Sequence, residues 1–343
     1  MSTNSFMSKR GSRGFTMIEL MIAMLIGILL LGPLAVILAN NSQTRYELEN
    51  SLGQIQNARY ALQVLGDDLG NAGFGVSDNI TFGPVLTSLP DSCNSTEDIL
   101  DDEVYQQFQF PVQGIDNLAE PPEDCTHMDN FPVCNDVEGD DVLPCNDLLV
   151  IRRASTCAVG EPQCDDFDDE IPHIQHRACG SGPSAFSIID SDGSVFTERL
   201  PPCSAETPIP APIYRLQNRV YYIAANNDPG DGIPTLKRID LDGGSVALAA
   251  GIEHLHFEYG VDTNDDGQPE KYAHAGLLTI DEWKDVVAVR IYLVARNLQT
   301  SGGPIHNRSY DLGQETVEPS NGAFKRQVYS TTVRLNNIAG PRE

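Results

Sequence analysis

RGFTMIELMIAMLIGILLLGPLAVIL, residues Arg13–Leu38, sets the reading of the whole chain. Lys9, Arg10 and Arg13 lead up to Gly14, and a long apolar run follows it. From Leu20 to Leu38, nineteen residues, no side chain is charged. A helix rising about 1.5 Å per residue covers roughly 28 Å over that length, close to the hydrocarbon thickness of a bilayer. The segment has the length and polarity to span a membrane. Glu19 is the exception within it. A carboxylate in lipid costs about 2.5–3.5 kcal/mol and so needs a partner. A cut after Gly14 would free the amine of Phe15, about one helical turn from Glu19. The carboxylate could then pair with that amine or with the amine of a neighbouring helix, offsetting the desolvation of both charges. Gly32-Pro33 inside the span predicts a kink or local melting, because proline removes a helical hydrogen bond.

Two plainer readings compete. An ordinary secretory signal also has a basic start and an apolar core, with a cut after Ala39. A single-span anchor needs no cut at all. The run is long for a secretory signal, and an acid opening its core is unusual.

Gly14-Phe15-Thr16-Met17-Ile18-Glu19-Leu20, behind a short basic leader, resembles the class III signal of type IV pilins and type II secretion pseudopilins. The resemblance implies that prepilin peptidase, a membrane aspartic peptidase, cuts after Gly14 and methylates the amine of Phe15. It also implies that Glu19 docks an incoming subunit. On that reading the chain is a substrate and performs no chemistry itself.

The sequence has 343 residues, enough for a membrane helix and one large or two small domains. Its formal charge is −27, and loss of Lys9, Arg10 and Arg13 with the leader takes it to about −30. A field of that sign argues against nucleic acid as a partner. It favours solubility, cation binding or basic partners, and most of the acids read simply as a solvated surface.

The eight cysteines are Cys93, Cys125, Cys134, Cys145, Cys157, Cys164, Cys179 and Cys203. An even number confined to the middle of the chain, beyond a membrane segment, predicts disulfides formed outside the cytoplasm. No C-x-x-C pair is present, which weakens zinc-ribbon and thioredoxin-like readings. Sequence does not choose the pairing, although Cys157 and Cys164 are spaced to close a small loop. The surrounding region is rich in Pro and Asp, so the bridges are expected to supply order that packing does not.

Beyond the span, Leu48, Leu52, Ile55, Ala58, Leu62, Leu65, Leu69 and Ala72 recur at intervals of three and four. That is one continuous helical stripe, suited to packing on a sheet or, less readily, to a coiled coil. Gly73 and Gly75 supply the stop. Residues 74 to about 145 carry few clear strands, with PDSCNSTEDILDDEV, EPPEDCTHMDN and CNDVEGDDVLPC reading as loops, and Asp147–Arg153 is the first convincing strand. The acidic stretch CDDFDDEIPH reads as a solvated loop, and Asp192-Gly193 as a hairpin turn. From about residue 211 the pattern is an antiparallel meander. Within Ile252–Val261, Leu255, Phe257, Tyr259 and Val261 share one face, and His254, His256 and Glu258 the other. Asp285–Arg296 alternates in the same way, and Val328–Leu335 is a last strand. A sheet with one buried face needs a cover, and the helical stripe provides it. The fold class is α+β.

GIEHLHFEYGVDTNDDGQPEKY (251–272), DVVAVRIYLVARN (285–297) and the final strand resemble the C-terminal half of PilW-type minor pilins. GDDLGNAGFG (66–75) resembles that family's helix exit. The resemblance covers the N-terminal helix and roughly the final third. It implies the type IV pilin fold, a long N-terminal helix on an antiparallel sheet, here with a disulfide-rich loop insertion. The implied division is a leader peptide (1–14), a transmembrane and polymerisation helix (15–39) and its periplasmic amphipathic half (40–73). A cysteine-rich acidic region (74–210) and a C-terminal sheet region (211–343) follow. The family implies a single-pass inner-membrane precursor with a periplasmic ectodomain, then a place in the extracellular pilus. There it would join other minor pilins and the major pilin in a tip complex that primes assembly, presents a large adhesin and supports motility. J-class type II secretion pseudopilins have a related plan and are the nearest alternative. A membrane-anchored, disulfide-rich adhesive ectodomain that never polymerises is another.

One loop has the pattern of a cation site. Asp262, Asn264, Asp266 and Glu270 place oxygens at positions 1, 3, 5 and 9, with Gly267 at 6. Such spacing lets alternate side chains converge on calcium, the one cofactor the sequence suggests. Ala273 stands where an EF-hand would carry its bidentate glutamate, and an acidic turn without metal is the alternative. His254, His256 and Glu258 share a strand face, as a zinc site requires, but histidines on a solvent-facing side more often read as surface. No H-E-x-x-H, G-x-S-x-G or P-loop motif is present, and an enzyme is not expected.

Overall fold

The computed structural model describes residues 14–76, 86–93, 104–118, 120–122, 125, 128, 145–176, 179, 187–190, 192–203, 209–240, 244–300, 308–318 and 324–342. Lys9, Arg10, Arg13 and Cys134 lie outside the described residues. The chain forms two compact units, Met1–Asn50 and Ser51–Glu343.

Helix α1 spans Met17–Gly70 and begins with a capping box. The backbone N–H and hydroxyl of Thr16 donate to the Glu19 carboxylate at 3.0 and 2.9 Å, and Glu19 N–H donates back to the Thr16 hydroxyl at 3.3 Å. Each bond satisfies a donor that a helix start otherwise leaves open. Pro33 lies inside the helix without interrupting it, so the local melting expected at Gly32-Pro33 does not occur.

The helix stops where the glycines require. Gly73 and Gly75 both take positive φ, and a Cβ on Gly75 would lie 2.8 Å from that of Ala154. That close approach lets the turn bond to the sheet, Gly73 N–H to the Arg152 carbonyl and Ala154 N–H to the Phe74 carbonyl.

The strands of the second unit are β1 (Val112–Leu118), β2 (Asn146–Ala158), β3 (His173–His176), β4 (Ser187–Asp190), β5 (Ile213–Ala224), β6 (Thr235–Ile239), β7 (Ser245–Ala250), β8 (Ile252–Val261), β9 (Lys271–Ala273), β10 (Val286–Arg296), β11 (Tyr310–Asp311), β12 (Thr316–Val317) and β13 (Arg326–Arg334). They pair antiparallel in two main sheets. In the larger, β1 and β2 lie on one side of β5, while β3–β4 and β6–β7 share its other side. The smaller has the order β13-β10-β8-β9, and β11 and β12 form a separate hairpin.

Region 74–210 therefore supplies strands β1 to β4 to the larger sheet, and β1 lies before Asp147–Arg153, the first strand expected. The strand β1 was hidden because VQGIDNL has no clean alternation. Asp192-Gly193 is also not a hairpin turn. The Asp192 carboxylate accepts from Ser194 N–H at 2.8 Å and starts a single 3-10 turn, Gly193–Val195.

Side chains of β2 stitch the sheets together. Among the described residues, most of the β8 edge opposite β10 has no strand beside it, yet Leu255 N–H donates to the Asn146 side chain and Phe257 N–H to Asp147, at 2.8 and 2.9 Å. Open strand edges invite wrong partners, and here polar side chains close the edge. Against this pair of sheets, α1 buries Ala58, Ala61, Leu65 and Leu69, with Leu149, Ile151, Tyr221 and Ile223 from one sheet and Leu255, Phe257, Val289 and Ile291 from the other. Full burial of each large apolar side chain is worth about 1.5–3 kcal/mol. The stripe is the expected one turned slightly, since Leu48 and Leu52 are exposed and Gln54, Ala61 and Asp68 are buried.

Cysteine pairs Cys93–Cys125, Cys157–Cys164 and Cys179–Cys203 are disulfides, and Cys145 is disulfide-bonded as well. The pair Cys157–Cys164 closes the small loop that its spacing suggested. Cys125 packs with Met128 on Leu148, Val150, Val220 and Tyr222, so this bridge lies over the face of the larger sheet formed by those residues.

Asp68 is the polar centre of the helix–sheet contact and is 4 % exposed. Its carboxylate takes Arg153 Nε at 2.8 Å, Arg219 Nη1 at 2.7 Å and the Tyr221 hydroxyl at 2.8 Å. Burial and the Asp68 charge push the Tyr221 pKa far above the phenol range, so it remains a donor. Removing one partner of a buried ion pair strands the other. Asp68→Asn, in the full chain in detergent, is expected to cost about 3–5 kcal/mol, read as a shift in urea midpoint. Asp67→Asn, on the exposed side, should change it by less than about 0.5 kcal/mol.

Candidate functional sites

At the N-terminal end, Gly14 is exposed and Phe15 is 82 % exposed, just before α1. Every large apolar side chain from Phe15 to Leu38 is exposed as well. The stretch is long and apolar enough to cross a membrane. Its one carboxylate, Glu19, is held by Thr16 rather than left bare.

The loop between β8 and β9 brings the three acids among its four predicted ligands together. One oxygen each of Asp262, Asp266 and Glu270 lies within 4.8 Å of the others. The chemistry of this set suits a hard cation. Asp262 is 2 % exposed and organises the turn, with Oδ1 accepting from the N–H groups of Asn264, Asp265 and Asp266 and Oδ2 from Gly267 N–H. Burial raises its pKa, but these amides outweigh that and hold it below the usual range. Asp265 and Gly267 take positive φ to make the turn. Asn264 uses its amide to reach Asp266, 3.2 Å away. Glu270 accepts from Thr263 N–H at 2.7 Å. The Arg342 guanidinium lies 3.4 Å from Asp262 Oδ2 and 3.0 Å from Asp285 Oδ1. The turn is thus closed by its own amides and a fixed cation.

His254, His256 and Glu258 are not on a solvent-facing side, being 1 %, 3 % and 2 % exposed. Alternation separated the two faces of β8 correctly, but the hairpin region 310–317 covers the second one. Leu312 and Val317 pack there with Val294, beside Tyr292 and Tyr310. Nor do the three residues converge. Glu258 turns to Arg290 Nη1 at 3.3 Å and to Gln314 N–H at 2.9 Å. His256 Nδ1 instead lies 2.8 Å from Asp147 Oδ2 and 2.9 Å from Glu315 Oε2. Burial works against a charged ring at His256, but the two carboxylates outweigh it and raise its pKa to about 10. Glu315 falls to about 2, burial being overcome by the two histidines. His254 Nε2 is 3.7 Å from the same Glu315 oxygen. Sequence reasoning missed Asp147 and Glu315. The first had a faint signal, an acid heading an apolar strand, and the second none.

Residues 220–337 match the family model described as type IV pilus-assembly protein W, and residues 9–35 match the prokaryotic N-terminal methylation motif. No curated protein matches the chain. Among solved structures, a type IV-like pilin from Thermus thermophilus is similar over 83 % of this chain and 96 % of its own, at 11 % identity and a TM-score of 0.32.

The geometry of the loop separates its acids by role. Asp262→Ala should destabilise the chain by about 1–3 kcal/mol even with a chelator present, because it leaves the buried Gly267 N–H unmatched and removes the bonds that close the turn. Thermal melts in chelator check this.

Proposed function

We propose that this chain is a PilW-type minor pilin, made as an inner-membrane precursor, cut by prepilin peptidase after Gly14 and N-methylated at Phe15. The mature helix then enters the pilus through Glu19. The observation that carries this reading is the exposed apolar face from Phe15 to Leu38 behind the matched methylation motif. A helix without a covering surface is soluble in lipid and adhesive to other such helices. Leaving the bilayer for a fibre keeps it apolar on all sides, and the Glu19 carboxylate gains a charged amine.

In this reading the chain is a structural component, with its ectodomain in the periplasm before assembly and outside the cell afterwards. It joins other minor pilins and the major pilin in the complex that primes the fibre and supports a tip adhesin, adhesion or motility. The long disulfide-bonded ectodomain supports a pilus role over that of a J-class secretion pseudopilin. The eventual start of the mature protein tests the processing. Mass spectrometry of the N-terminal peptide is expected to give N-methyl-Phe15. A chain retaining Met1 or starting at Asn40 would sink the proposal. Glu19→Ala is expected to reach the membrane in normal amount and to be lost from sheared fibres, as read by immunoblot of both fractions.

We propose a second, conditional role for the 262–270 loop, as a calcium site using Asp266 and Glu270 beside the Asp262 hub. The three carboxylates within 4.8 Å support it. Asp266→Ala is expected to lower the melting temperature only when calcium is present. An equal loss with and without calcium would mean an acidic turn and no ion.

A further inference from the structure

We propose that Asp147, His254, His256 and Glu315 form a buried site for a divalent metal ion of the zinc type. The four side chains come from β2, β8 and the turn between β11 and β12, and two imidazoles with two carboxylates are ordinary zinc ligands. Metal–ligand bonds of about 2.0–2.2 Å in a tetrahedron set neighbouring ligand atoms roughly 3.4 Å apart. Asp147, His256 and Glu315 bring their ligand atoms within 4.8 Å of one another, with 2.8 and 2.9 Å from His256 Nδ1 to the two carboxylates, and His254 stands at the edge of this trio, its Nε2 3.7 Å from Glu315.

Unmet valence gives a second, independent argument. His254 is 1 % exposed, and among the described residues neither of its ring nitrogens is within hydrogen-bond range of a partner, Glu315 Oε2 standing 3.7 Å from Nε2. His256 Nδ1 points between two carboxylates without a well-directed hydrogen bond to either, and its Nε2 is unpartnered as well. Each unsatisfied buried polar atom is costly, and native interiors rarely keep several side by side. A divalent ion bound by these carboxylates and imidazoles would give the ring nitrogens a partner.

The surroundings are arranged as a ligand shell requires. Residues two apart on a strand face the same way, which brings the two imidazoles to one side of β8. Asp147 is oriented by Asn117 N–H at 3.0 Å and Phe257 N–H at 2.9 Å, the kind of outer bond that fixes a ligating carboxylate. Bound metal would rivet the β11–β12 hairpin to both sheets.

The test uses the full chain in detergent, stripped with chelator and then titrated with zinc chloride. One equivalent of zinc by elemental analysis and a higher melting temperature are expected. His254→Gln should weaken zinc by more than about tenfold and remove the thermal gain. The gain is read within each protein, with and without zinc, because His254 also lies 3.7 Å from Glu315 and its loss lowers the metal-free melting temperature by itself. Cobalt, in the unaltered chain, should give the visible absorption of a tetrahedral nitrogen–oxygen site, a readout that needs no variant. Absence of stoichiometric zinc and of the cobalt band would overturn the proposal. So would a zinc-induced gain that survives intact in His254→Gln, since the ion would then sit elsewhere, for example on the 262–270 loop.

Discussion

A carboxylate in the last turn of a helix faces the negative end of the helix dipole, a position that favours cations. Asp68 occupies that position and is buried as well. It is tolerable only because Arg153 from β2, Arg219 from β5 and the Tyr221 hydroxyl meet it. Apolar packing along α1 resists separation but slides at little cost, whereas three directed bonds to one carboxylate fix rotation and register. Arg219 passes the constraint outward, since its Nε also holds Asp240 at 3.1 Å and Arg238 takes the other oxygen of that acid. The helix end, two adjacent strands and the end of β6 are thus set by one chain of charges.

The two sheets depend on a similar economy at the start of β2. Asn146 and Asp147 occupy donors of β8 that a strand would otherwise have to satisfy. The acid does this with an oxygen that also lies beside His256. One residue therefore belongs to the joint between the sheets and to the buried histidine cluster, and a change there disturbs both.

Much of this was readable before any coordinates. Hydropathy and one misplaced acid marked the N-terminal stretch, spacing of three and four marked the helical stripe, and the glycines of NAGFGV marked its end. Clean alternation gave β8 and β10. Strand β1 escaped because its packing comes from β2, some thirty residues later, and not from its own pattern. Asp68 escaped because an acid beside a stripe looks solvated until its arginines, 85 and 151 residues away, are brought to it. The histidines of β8 were placed on the correct face, but alternation distinguishes faces without saying which is covered. The cover here is the 310–317 segment, far along the chain and too short to carry a signal.

The capping box at the head of α1 has a further effect on which bonds its acid can exchange. Glu19 already accepts from a neutral amide and a neutral hydroxyl. A second neutral donor offers little in return for displacing them, whereas an ammonium group forms a bond about twice as strong. Any group that displaces Thr16 from Glu19 has to replace two hydrogen bonds, which on these energies favours a positively charged donor over a neutral one.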